Sequence, residues 1–199
     1  MYHKKMAAAA ACLFIVLSFL GCSNKEKPAD DVQTSDGNIT PRYQQDTQEM
    51  ESALKEDPTN KALLVKLGNV YFDWGQDEVA KKGNLAEPVS KWQRAIECYT
   101  EALKKDPTDV NVRVDRAYLM NMVGDTDKAI EEFRLAKKQD PKHPQARINL
   151  VDALGRKGDF KAAVTEWDEM IKVMPEQKDN AQLASAVEGY RQAMKEKKK

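Results

Sequence analysis

The chain has 199 residues, with 32 lysines and arginines against 32 aspartates and glutamates, so its formal net charge is zero. Charged residues make up 32% of the sequence and aromatic residues only 7%, which favours a helical protein with a large charged surface. The balanced charge argues against nucleic-acid binding, which needs a basic surface. With three cysteines and two histidines, a disulfide-rich scaffold or a structural zinc site is not expected.

The first 22 residues have the pattern of an export signal. A basic start is followed by an apolar run at 6–20, which is shorter than the roughly 20 residues that span a bilayer. The run ends in Gly21 and Cys22, and a polar stretch follows. This segment resembles a bacterial lipoprotein signal, which implies cleavage before Cys22 and acylation (palmitate) of that cysteine. The alternative is an ordinary signal peptide, or an uncleaved anchor, that contains Cys22.

The resemblance implies a signal peptide at 1–21 and a lipid-anchored protein on the periplasmic face of the bacterial cell envelope. Ser23 stands where the inner-membrane retention signal has an aspartate, so the outer membrane is favoured. Residues 22–41 are polar and lack apolar periodicity, so we expect a flexible tether there. A folded domain is predicted at 42–199.

A period of 34 residues runs through this domain. It relates three sets of positions, occupied by small residues, aromatic residues and prolines: Ala95, Ala129 and Ala163; Tyr99, Phe133 and Trp167; Pro107, Pro141 and Pro175. This combination at this period is typical of the tetratricopeptide repeat. Over 44–175 the chain resembles that family, which implies a solenoid of helical hairpins.

The expected elements follow in chain order. A lone helix at 44–57 precedes three repeats at about 61–109, 110–143 and 144–177, and an amphipathic capping helix follows at 178–196. The prediction is an all-α fold of eight helices. Counted from Gly75 to Ala95, the first repeat has fifteen more residues than the others, within 76–90. A flexible loop is favoured for this insertion over a partner-specific arm.

Motifs for chemistry are missing from the sequence: there is no glycine-rich phosphate loop, GxSxG elbow or HExxH pair. Beyond the signal peptide, His143 is the one histidine, and it lies in a turn between repeats. Cys98 is expected to be a half-buried apolar residue rather than a nucleophile. We therefore expect a protein that is not an enzyme, with no metal, cofactor or small-molecule substrate.

Binding is the remaining function. In the tetratricopeptide-repeat family, the first helices of successive hairpins line a concave groove that receives peptides or partner helices. Carried over to this sequence, the resemblance implies a groove with these residues: Val65, Asn69, Phe72, Asp73, Asn111, Val114, Tyr118, Asn121, Met122, Gln145, Ile148, Asn149, Asp152 and Arg156. The family's carboxylate clamp has lysines where Val65, Val114, Ile148 and Met122 stand, so a clamp is not expected. The alternative is that these side chains only fill the inner curve of the stack.

The sequence thus favours a lipid-anchored periplasmic scaffold that binds a protein or peptide partner for envelope assembly, secretion or pilus assembly. One alternative is a cytochrome c biogenesis factor that holds apocytochrome, since the ending WDEMIKVMPE is similar to repeat domains of that kind. The other is a carboxylate-dependent hydrolase subunit, which would need a cleft carboxyl group with a raised pKa.

Overall fold

The computed structural model describes residues 40–82 and 88–196. These residues form eight α-helices and a short 3-10 helix, without a β-strand among them, so the all-α prediction is confirmed. In chain order the helices are α1 (Thr40–Glu56), α2 (Lys61–Lys82), α3 (Val89–Lys105), α4 (Val110–Met122), α5 (Thr126–Gln139), α6 (Pro144–Lys157), α7 (Phe160–Val173), the 3-10 helix (Pro175–Asp179) and α8 (Ala181–Glu196). The predicted signal peptide, Cys22 and most of the tether lie outside the described residues.

The helices stack in sequence order, because each helix packs against the next one in the chain. The pairs α2–α3, α4–α5 and α6–α7 are the three predicted hairpins. In addition, α4 touches α6, and α6 touches α8. First helices of neighbouring hairpins therefore converge, which places them on the inner curve of the stack.

The residues with a period of 34 lie at the contacts between helices. Ala95, Ala129 and Ala163 are fully buried, because a methyl group is what lets two helix backbones approach closely there. The aromatic residues Tyr99 and Phe133 are buried beside them. The repeated pattern therefore places the hydrophobic core along the whole stack.

Glycines end two of the first helices. Gly124 follows α4 with φ of 97°, and Gly158 follows α6 with φ of 82°, so both adopt the left-handed conformation that favours glycine. Gly75 differs, because it lies inside α2 instead of ending it. The indole of Trp92 lies so close to Gly75 that a side chain there would overlap it.

The flexible loop predicted for 76–90 is wrong for most of its length. Residues 76–82 extend α2, and α3 begins at Val89, while 83–87 lie outside the described residues. With 22 residues, α2 is about 33 Å long, against about 20 Å for the 13 residues of α4. The extension is held at its base by Trp74 and Trp92, which are both buried, and by stacking of Tyr43 of α1 on Trp74.

Two hairpins contain an ion pair with a buried arginine that the sequence analysis missed. Arg113 contacts Glu132 at 2.7 Å, and Arg147 contacts Glu166 at 3.0 Å. Each arginine also donates to the carbonyl of the proline six residues before it, so it joins a first helix to the preceding turn. At the equivalent positions of the first hairpin, which has fifteen additional residues between Gly75 and Ala95, stand Leu64 and Cys98.

Helix α8 closes the stack, as predicted. Leu183 and Val187 are buried against the preceding helices. The ring of Tyr190 stacks on Phe160 with centroids 5.0 Å apart and covers Gly155 of α6. The outer side of α8 is polar, which is what a terminal helix needs in water.

Candidate functional site

An aromatic pair occupies the inner curve between the first two hairpins. The rings of Phe72 on α2 and Tyr118 on α4 lie 5.8 Å apart and are tilted by 37°. Both side chains are only partly buried, as are Met122 and Gln76 beside them. Burial raises the pKa of Tyr118, and its side chain forms a hydrogen bond with Gln76. The neutral phenol is therefore kept as a hydrogen-bonding group on an apolar surface.

A polar group adjoins this pair on α6. Arg156 donates from Nε to Oδ2 of Asp152 at 2.8 Å, and the arginine remains exposed to solvent. Electrostatic interactions link Asp152 and Arg156 to both Tyr118 and Tyr190. The inner curve thus carries an apolar part and a charged part side by side.

Several other predicted groove residues are engaged within the stack. The amide of Asn121 donates to Asp152 and accepts from Thr126, and Asn121 is 7% exposed. Asn69 accepts a hydrogen bond from the hydroxyl of Tyr99 at 2.8 Å. Such amides hold helices together and have less capacity left for a partner.

Burial separates the remaining predicted residues into two sets. Val114, Ile148 and Asn149 are buried, whereas Val65, Asp73 and Gln145 are partly buried, and Asn111 is exposed. The structure therefore brings together one accessible surface, which we call the aromatic face: Phe72, Gln76, Tyr118, Met122, Asp152 and Arg156. Gln76 was missed because the sequence analysis assigned it to a loop; helical spacing from Phe72 to Gln76 was the available signal.

Three titratable groups of the described residues have pKa values shifted away from those that a nucleophile or a general acid needs. Cys98 is buried, and burial raises the pKa of its thiol to about 11, so the thiolate is disfavoured. Bonds from Lys61 and Thr108 lower the pKa of Asp106 to about 2. For Glu51, burial raises the pKa, but bonds from Arg94 and Tyr71 outweigh it and lower the pKa overall. A general acid would need the opposite shift.

Within 40–82 and 88–196, no three His, Cys, Asp or Glu side chains come together in a way that would hold a metal ion. Nor is any helix in these segments both long enough and apolar enough to span a bilayer.

Comparison with known proteins agrees with the geometry. Two family models, each described as tetratricopeptide repeat, match residues 90–146 and 123–181. Residues 90–181 are thus similar to tetratricopeptide repeats. Among curated protein sequences, none matches significantly.

Several solved structures resemble the chain in fold. One is MamA, at 17% identity and a TM-score of 0.57, covering 79% of this chain and 90% of that one. Another is a tetratricopeptide repeat protein from Parabacteroides merdae, at 21% identity and a TM-score of 0.58, covering 74% of this chain and 53% of that one. A third is the first repeat domain of Spaghetti (RPAP3) bound to the HSP90 peptide SRMEEVD. It has 19% identity and a TM-score of 0.54, covering 67% of this chain and 94% of that one. At these identities the likeness shows the fold alone.

Proposed function

We propose that this protein is a scaffold that binds a protein or peptide partner through the aromatic face. The observation that carries the proposal is the partly exposed pair of Phe72 and Tyr118 on the inner curve of the repeats. Concave solenoid surfaces are commonly binding faces, and aromatic side chains are enriched among the residues that dominate binding energy. The RPAP3 domain, which has a similar fold, binds a peptide.

The polar residues of the aromatic face would orient the partner. The hydroxyl of Tyr118 and the amide of Gln76 already bond to each other and can exchange that bond for one to a partner backbone. Arg156 is exposed and can contact an acidic group while it stays paired with Asp152. Because Asn121 is buried in the stack, its substitution would test stability more than binding.

Replacing Tyr118 with alanine is expected to weaken partner binding by about 1–3 kcal/mol, because the ring supplies most of the apolar contact area. A photo-crosslinking amino acid at position 76 would first identify the partner in intact cells. Binding of that partner to wild type and to Tyr118→Ala is then measured by calorimetry. Melting curves of both proteins measure how much stability is lost with the contact to Phe72, so that this loss can be separated from the change in affinity.

The matched control is Glu131→Ala, an exposed change on α5, a second helix on the outer side of the stack. It should leave partner affinity and the melting temperature unchanged. Equal binding by wild type and a folded Tyr118→Ala variant would remove the aromatic face from the proposal.

We also propose that the scaffold is anchored in the bacterial envelope through lipid on Cys22. The support is the basic start, the short apolar run and the Gly21-Cys22 pair at its end. Assembly of envelope, secretion or pilus components is the role that fits such an anchored scaffold.

Substitution of Cys22 by alanine is expected to abolish incorporation of labelled palmitate and to leave the precursor uncleaved, because the acylated thiol is removed. Labelling of growing cells followed by gel electrophoresis measures both effects. Cys98→Ala is the matched control and should label like wild type. Unchanged labelling of Cys22→Ala would contradict the anchor.

A further inference from the structure

Five α-helices of the described chain begin with a side-chain cap, and one of the caps is a histidine. In α2, α4, α7 and α8 the acceptor is an oxygen of Asn60, Asp109, Asp159 or Asn180. In α6 the acceptor is Nδ1 of His143, which receives the backbone N–H of Ala146 at 3.2 Å. Imidazole is the group among these whose charge ordinarily changes near neutral pH.

The second ring nitrogen of His143 links two hairpins. Its Nε2 lies 2.9 Å from Oδ1 of Asn111, in the first turn of α4. Because Nδ1 accepts a hydrogen bond, the proton of the neutral ring sits on Nε2 and is donated to Asn111. Neutral His143 therefore satisfies the start of α6 and joins it to the start of α4.

Protonation of this ring conflicts with the geometry. Both nitrogens of an imidazolium are donors, so Nδ1 would present a proton to the N–H of Ala146. A cation would also stand at the positive end of the α6 dipole. We propose that His143 is an acid-sensitive latch: on protonation it releases the first turn of α6 and loosens the junction between α5 and α6 in the middle of the stack.

The charged groups around His143 leave this conflict in place. Asp140, in the same turn, favours the imidazolium, but burial of the ring outweighs it and lowers the pKa of His143 below the usual 6.5. Lys142 adjoins His143 in the chain and is exposed. Asp109, before α4, pairs with Lys61, and Arg147, on α6, pairs with Glu166.

The sign of the pH dependence follows. A histidine whose pKa is lower in the folded state than in the unfolded state binds fewer protons when folded. Its contribution to stability is present above the usual pKa of 6.5 and is lost as the pH falls through the lower, folded value. Acid should therefore weaken α6 first, well before general acid unfolding.

The latch is tested by nuclear magnetic resonance of the labelled protein between about pH 7.5 and about pH 5. The amide resonance of Ala146 is expected to shift with the same midpoint as the His143 ring. The amide of Leu63, capped by Asn60 in the first hairpin, is the internal control and should not follow that midpoint. An Ala146 amide that ignores the ring's titration would overturn the proposal.

The matched variant is His143→Asn, which gives α6 the cap that Asn60 gives α2. Over the same pH range, the unfolding equilibrium constant of wild type should rise about five- to tenfold more than that of His143→Asn, the size expected for one lost cap. Parallel stability profiles of the two proteins would also overturn the latch. If His143→Asn does not fold, the Ala146 titration in wild type decides alone.

Discussion

Replacing Glu166 with alanine is expected to lower the free energy of unfolding by about 3–5 kcal/mol, because it strands a buried charge. The side chains of Arg147 and Glu166 are 5% and 6% exposed and lie 3.0 Å apart. Lys137 also bonds to Glu166, and the exposed Glu169 lies 3.5 Å from Lys137 and 4.0 Å from Arg147. Urea unfolding followed by circular dichroism measures the loss.

The first hairpin supplies the control for this prediction. At the equivalent positions it has Leu64 and Cys98, both buried, in place of the arginine and the glutamate. A double variant, Arg147→Leu with Glu166→Cys, should recover most of the stability, since replacing both members of a buried pair by apolar groups is often close to neutral. A double variant as unstable as Glu166→Ala would show that unpaired charge is not the cause.

Replacing Trp92 with alanine is expected to cost about 3–5 kcal/mol, the range for removing a large aromatic side chain from a core. Trp92 is fully buried, and its indole fills the space above Gly75 where α2 and α3 cross. The cavity would lie at the base of the α2 extension. Thermal unfolding should show a lower melting temperature, and the α2 extension should lose protection from hydrogen exchange.

Trp92→Phe separates packing from hydrogen bonding. In the described part of the chain the indole N–H of Trp92 has no hydrogen-bond partner, so a phenyl ring there loses volume but strands no acceptor among those residues. The loss in free energy of unfolding should be well below that of Trp92→Ala. Equal losses for the two variants would mean that the N–H, and not the ring volume, stabilises the contact between α2 and α3.

The repeat period was enough to predict the class of fold and the position of most helices. Close helix contacts admit only small side chains, so alanines recur there at the repeat period. The three buried alanines at this period are Ala95, Ala129 and Ala163. Leu183 and Val187 of the cap were predictable for the same reason, since a helical spacing marks a buried face.

The insertion was misread because Gly75 looked like a helix end. A glycine at that position can mean a left-handed turn or the close approach of another side chain, and the sequence does not distinguish the two. The indole of Trp92 shows that the second reason applies. Once Gly75 is inside a helix, residues 76–82 of the insertion lengthen α2.

The aromatic face was predictable only in part. The family pattern correctly puts Phe72 and Tyr118 on one side, but it does not say which side chains the curvature of the stack covers. The side-chain amide of Asn121 forms hydrogen bonds with Asp152 and Thr126, and Val114 is buried. These contacts arise between helices, so they depend on distances that one sequence does not contain.

The repeats share a period, yet they are not interchangeable parts. In the second and third hairpins an arginine donates to the carbonyl of the proline in the preceding turn. The first hairpin has an apolar pair at the equivalent positions, and aromatic rings lie on its Gly68 and Gly75. Duplication or loss of a unit during evolution is therefore expected to be tolerated among the second and third hairpins, which use the same connection. The number of such units can vary, whereas the first hairpin, which has different contacts, cannot be replaced by one of them.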